Sequence, residues 1–145
     1  MTMAEFVYSL AQDVSAGQNV ILNDSITCNR GYVIHRNESG VITLRGIVNN
    51  PCGCFARYQI LFVANVAVPE GGTADPISVS LAVDGEPIPS TEAISTPAAV
   101  GDFGNVTVSR FVTVPRGCCY TIAIENTSDQ TITVSNANLI VTRTA

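Results

Sequence analysis

Ile77-Ser78-Val79-Ser80-Leu81-Ala82-Val83-Asp84-Gly85-Glu86-Pro87-Ile88-Pro89-Ser90 decides the fold class. Ile77, Val79, Leu81 and Val83 alternate with Ser78, Ser80 and Ala82. A period of two puts the large apolar groups on one face of a strand and the small groups on the other. Asp84-Gly85 is the chemistry of a two-residue hairpin turn, because glycine tolerates positive φ and aspartate nearly so. Pro87 and Pro89 have no N–H to give to a ladder, so the returning segment is an edge strand or a loop. The small face of Ser78, Ser80 and Ala82 lets a second sheet or a sister subunit approach closely.

Phe55 to Val68, upstream of this hairpin, is the longest apolar segment. Tyr58, Ile60, Phe62, Ala64 and Val66 fill one face, and Leu61 and Val63 make the other face apolar as well. A strand apolar on both faces is central, or lies between its own core and a neighbouring subunit. Downstream, Asn105 to Val114 alternates cleanly, and Cys119 to Ile124 is the next strand. Thr131–Val134 and Asn138–Thr142 finish the chain, with Ser135-Asn136-Ala137 a bulge between them. Toward the N-terminus, Phe6–Leu10 reads as a short strand and 13–17 as a turn. Asn19–Leu22 is a short apolar run, Tyr32–Arg36 follows a loop, and Val41–Val48 is a strand bent at Gly46. Thr91–Gly104 is a long connection. About nine or ten strands at turn-punctuated intervals, with no helical period, predict an all-β sandwich or barrel. Long connections favour a jelly roll over a meander.

One domain over residues 1–145 is expected, with 1–14 an N-terminal arm or first strand. A chain of this size buries roughly 68–70% of its unfolded surface, enough for a core without staples. Apolar residues make up 46% and charged residues 13%. So little charge leaves apolar and hydroxyl surface bare, and burial in an oligomer accounts for it. The net charge is −5, and every basic residue is arginine: Arg30, Arg36, Arg45, Arg57, Arg110, Arg116 and Arg143. They are scattered, with no basic stripe, so nucleic acid is not an expected partner. Apolar runs are strand-sized, so no membrane partner is expected either. Met1–Glu5 lacks the basic region of a signal peptide, so the chain is expected to be made in the cytoplasm without one.

Several segments carry a family likeness. Ser80–Pro89 resembles the Ser-Leu-x-Val-Asn-Gly-x-Pro-x-Pro segment of the globular C-terminal domain of collagen-like exosporium glycoproteins. Gly40-Val41-Ile42-Thr43-Leu44 is similar to a Gly-Thr-Ile-Thr-Leu strand of that domain. Tyr58–Val68 is similar to its central strand, and Ala137–Arg143 to its closing strand. The pieces Ile34–Asn37, Thr43–Gly46 and Val114–Cys119 also resemble short stand-alone proteins of Firmicute bacteria and their prophages. These domains are jelly rolls of the tumour necrosis factor (TNF) and complement globular-head class. The resemblance implies about ten strands in two sheets, TNF-like, and a tight homotrimer over about residues 15–145. The chain has no Gly-X-Y stalk, which shifts the expectation from an anchored spore-surface tip to a free-standing trimer on a virion, as a head decoration or fibre head.

The expected function is therefore a non-enzymatic structural or adhesive surface protein, located on a virion or spore surface. Its expected partners are two further copies, a capsid or spore-coat protein, and a cell-surface glycan. The alternative is a carbohydrate-binding module on a trimeric jelly roll. Tyr58, Ile60 and Phe62, with Leu139 and Val141 of the closing segment, are the candidates for the trimer contact. No catalytic or cofactor-binding residue is expected.

Chemistry-bearing residues are few. Cys52, Cys54, Cys118 and Cys119 could supply four thiolates to zinc, but neither pair has the usual Cys-x₂-Cys spacing. Disulfides within or between subunits are a second reading, with Cys28 making the count odd. Reduced cysteines acting as small apolar groups near strand ends are the third, and the favoured one. His35 is the only histidine, and no nucleophile motif accompanies it, so a structural or interface role is expected. The aspartates lie in turn-like contexts, where Asp is a turn former by default; a calcium site from Asp75, Asp84 or Asp102 has no loop signature. Core or interface packing is expected for Phe62 and Phe111. Asn23, Asn37, Asn105 and Asn126 fit the glycosylation sequon by chance.

Overall fold

Alternating side chains sort this chain into two layers that share one core, as seen in a computed structural model. It describes residues 2–22, 24–25, 33–35, 39–48 and 53–144. The strands are β1 (Thr2–Tyr8), β2 (Gln12–Val14), β3 (Asp24–Ser25), β4 (Val33–His35), β5 (Ile42–Arg45) and β6 (Phe55–Ala67). They continue with β7 (Ile77–Val83), β8 (Glu86–Pro87), β9 (Ala93–Ser95), β10 (Gly104–Pro115), β11 (Cys119–Asn126) and β12 (Ile132–Arg143). One sheet runs β10-β6-β12-β1-β3, with β2 also on β12. The other runs β4-β5-β11-β7-β8, with β9 also on β7. Every pairing among the described strands is antiparallel.

β6 is the spine of the first sheet. It pairs with β10 from Phe55↔Pro115 to Val66↔Gly104. On its other side it pairs with β12 from Tyr58↔Arg143 to Ala67↔Thr133. Its even-numbered residues Ala56 to Val66 are all buried, as are Val106, Val108, Val112 and Val114 of β10. They meet Ile42, Leu44, Ile122, Ile124 and the odd-numbered residues Ile77–Leu81 from the second sheet in a single core. The Tyr58 hydroxyl donates to the Arg45 carbonyl at 2.6 Å, which satisfies a polar tip that would be costly to bury alone.

The Ile77–Ser90 hairpin forms as its turn chemistry requires. Asp84 and Gly85 have φ of 52° and 86°, the doubly left-handed pattern of a type I′ turn. Asp84 is held there by its Oδ1, which accepts from the Thr121 N–H at 2.9 Å and the Thr121 hydroxyl at 3.2 Å. Pro87 falls on the two-residue edge strand β8, as a residue without an N–H must. The small face of β7 lies open to no partner: Ser78, Ser80 and Ala82 are buried within this same chain.

Several boundaries differ from the sequence reading. β1 begins at Thr2 and ends at Tyr8, because the whole segment pairs with β12 from Arg143 to Ala137. Asp13 and Val14, read as the start of a turn, belong with Gln12 to a strand that pairs with Ile132–Val134 and buries Val14. A three-residue strand leaves too little alternation to be read locally. Asn19–Leu22 is not a strand and makes only isolated bridges, to Glu125 and Ser39. A 3-10 turn (Pro89–Thr91) leads into the long connection, which contains β9. The bulge read at 135–137 is present: the β12–β6 register shifts between Ser135 and Asn138, and Asn136 has φ 56°. It lies inside one strand rather than between two.

Asn126 is fully buried at the end of β11 and joins three segments. Its Nδ2 donates to the Val14 and Gln130 carbonyls, each at 2.9 Å, and its Oδ1 accepts from the Ser128 N–H at 2.9 Å. Replacing it with alanine strands the buried Val14 carbonyl, the part-buried Gln130 carbonyl and the Ser128 amide. Asn126→Ala should lower unfolding stability by about 2–4 kcal/mol in urea titration. Phe62→Ala, which opens a cavity at the centre of β6, should cost about 3–5 kcal/mol by the same measurement.

Candidate functional site

The expected trimer contacts require a correction. Tyr58, Ile60, Phe62, Leu139 and Val141 are each at most 1% exposed in the single chain. They fill the space between the two sheets, and a side chain pointing into its own core cannot meet another subunit. Alternation then assigns any contact made by β6 and β12 to their opposite face. That face carries Leu61, Val63 and Ile140, all half-buried, with Leu61 directly opposite Ile140 in the ladder. Val7 on β1 lies opposite Asn138, which in turn lies opposite Val63. Phe55 and Phe111 extend this face with 45% and 48% exposure. Phe62 is core as expected, whereas Phe111 lies on the surface under the Arg57 guanidinium, 4.4 Å from the ring centroid.

One polar atom interrupts the apolar strip. Asn138 donates through Nδ2 to Glu5 Oε2 at 3.0 Å. Its Oδ1 is buried and accepts no hydrogen bond among the described residues.

The cysteines gather at the end of the sandwich that also holds Thr2 and Arg143. Cys54, Cys118 and Cys119 are exposed. Main-chain bonds tie their loops together, from Arg116 N to Cys54 O at 3.0 Å and from Gly46 N to Cys118 O at 2.8 Å. A cavity of about 250 Å³ opens there between Arg45, Arg116 and the two vicinal cysteines. No group of three or more His, Cys, Asp or Glu side chains suited to a metal ion occurs among the described residues. Cys28 and Cys52 lie outside them, as do Asn23 and Asn37. His35 is buried, its ring 4.8 Å from that of Phe6 and its Nε2 2.9 Å from the Ser39 carbonyl oxygen. It packs and bonds as a structural histidine.

The opposite end holds a feature that the linear sequence does not display. The β6–β7 and β11–β12 loops enclose a polar cleft of about 550 Å³ between residues 73–78 and 127–130. Gln130 clamps the first loop, accepting from Thr73 N–H at 3.0 Å and donating to Thr73 O at 2.7 Å. Ser128 Oγ accepts from Ser78 N–H at 3.0 Å and donates to Ser78 O at 3.2 Å. The Ser78 and Thr127 hydroxyls share a 2.8 Å bond. Gly72 lets the loop close: a Cβ there would sit 2.5 Å from Val68 Cγ1 and 3.0 Å from Gln130 Oε1. Asp75 and Asp129 lie at the rim, both exposed. Each reads locally as a turn former, and nothing in the sequence joins two loops about fifty residues apart.

No protein-family model matches this chain, and no curated protein matches it in sequence. Solved structures match it in fold. Eiger TNF from S. frugiperda superposes with a TM-score of 0.69 at 10% identity, covering 99% of this chain and 92% of that one. The globular domain of zebrafish complement 1qA protein gives 0.63 at 13% identity, covering 98% and 96%. PRD1 vertex protein P5 gives 0.52 at 11% identity, covering 99% and 96%. With its two antiparallel sheets and this strand order, the chain is an all-β jelly-roll sandwich of the TNF and complement globular-head type.

Proposed function

We propose that this chain is a non-enzymatic structural and adhesive protein that assembles as a homotrimer on a particle surface, as a virion component. The observation that carries the proposal is the outer face of the β10-β6-β12-β1 sheet. Leu61, Val63 and Ile140 form an apolar centre, with Val7 across Asn138 from Val63. Thr107, Ser109, Asn65 and Glu5 rim it with polar groups. An apolar centre within a polar rim is the anatomy of a protein interface. The orphaned Asn138 Oδ1 supports the same reading, since a buried acceptor without a donor costs free energy that a neighbouring subunit can relieve. The sequence likeness to jelly-roll heads brings threefold symmetry as the natural arrangement.

The placement on a virion draws support from the vertex protein among the fold neighbours, at the level of fold. The spore surface is the second location, resting on the segments that resemble exosporium domains. Three copies would present the same loops at fixed spacing, so weak individual contacts would add up to avidity.

Mass photometry at micromolar concentration should show a trimer. Leu61→Arg should convert it to monomer while far-UV circular dichroism remains that of a β protein, with the assembly midpoint raised roughly thirtyfold or more. A wild-type chain that stays monomeric would remove the assembly. Antibody labelling of intact, purified virions tests the location, and absence of the chain from those particles would remove it.

A further inference from the structure

We propose that the cleft between residues 73–78 and 127–130 binds a saccharide that is neutral or carries an amine, an inference that rests on the adhesive part of the function proposed above. The cavity of about 550 Å³ falls within the roughly 300–1,000 Å³ typical of small-ligand sites. Its walls are set before any ligand arrives. The Gln130–Thr73 amide pair and the Ser128–Ser78 pair clamp its two loops, and Asn126 anchors one of them from below. A pre-organised wall spares the ligand the cost of ordering it.

The balance of donors and acceptors selects the ligand class. Ser128 and Gln130 spend their side-chain bonds on the frame. The Asp75 and Asp129 carboxylates make no hydrogen bond to any described residue and are acceptors only. The Thr73 hydroxyl and the Ser78–Thr127 hydroxyl pair add groups that both donate and accept. A ligand that satisfies this wall must bring several donors over a span of two loops, as the hydroxyls of a sugar ring do. The exposed ring of Pro76 supplies an apolar edge for the C–H face of such a ring. Two carboxylates at the rim repel a sialic or uronic acid and favour a neutral or amino sugar. A metal ion is a poorer fit, since no group of three metal-ligating side chains forms among the described residues.

The cleft lies clear of the proposed interface. The cleft lies where β6 ends, beyond Ala67 and Thr133. It is also off the apolar sheet face, so assembly through that face leaves it open.

Isothermal titration of the full-length protein with monovalent neutral, amino and sialylated oligosaccharides tests the proposal, with a glycan array to choose the oligosaccharides. Neutral or amino saccharides should bind and sialylated ones should not. The Asp75→Asn/Asp129→Asn double variant, which keeps the shape of both side chains, should weaken binding by about tenfold or more. Asp102→Asn, at the same end but outside the cleft, should bind as wild type. The proposal falls if no neutral or amino saccharide binds, if sialylated glycans are preferred, if the double variant binds as wild type, or if calcium chloride alone titrates the cleft carboxylates. Monovalent binding does not need assembly, so a monomeric protein that still binds would remove the trimer and keep the cleft. A trimer that binds no glycan would do the reverse.

Discussion

The alternation of side chains along β6 is the constraint on which the rest of this molecule depends. The thirteen-residue strand Phe55–Ala67 pairs with β10 along Phe55–Val66 and with β12 along Tyr58–Ala67. A central strand so paired cannot slip by one residue without turning Tyr58, Ile60 and Phe62 outward and Arg57 and Gln59 inward. Its register therefore orders β10 and β12, and through β12 it orders β1 and β2. The same parity determines which side chains remain for a partner. Leu61, Val63 and Ile140 are outside because their neighbours in sequence are inside.

The two ends of the sandwich differ in chemistry because different loops close them. The end near Tyr58 holds Arg45, Arg57, Arg116 and Arg143, and the cysteines at 54, 118 and 119. The far end holds Glu70, Asp75, Asp102 and Asp129 and the hydroxyl-lined cleft.

Hydrogen-bonded side chains hold several polar parts of the molecule together. Asn126, Gln130, Ser128 and Asp84 each satisfy main-chain groups of a segment far away in sequence. Thr91 does the same at the other edge, accepting from Leu81 N–H at 2.9 Å. Each bond stabilises modestly, and for the buried ones, those of Asn126 to Val14 and of Thr91 to Leu81, loss of the side chain would leave a buried main-chain group unsatisfied.

The sequence by itself determined the β class, the Asp84-Gly85 turn, the bulge near Asn136 and the identity of the long central strand. All of these follow from local chemistry: a period of two, the φ preference of glycine, and proline's missing donor. It also marked Leu61 and Val63 as unusual, because apolar residues on both faces of a strand can be seen without a structure. Only the tertiary structure decided which face was which. Tyr58 and Leu139 are as apolar in sequence as Leu61 and Ile140, and the choice between core and surface is made by the second sheet, whose strands lie far along the chain. The same reason hides the cleft. Asp75 and Asp129 are ordinary turn residues until antiparallel pairing of β7 with β11 brings their loops side by side.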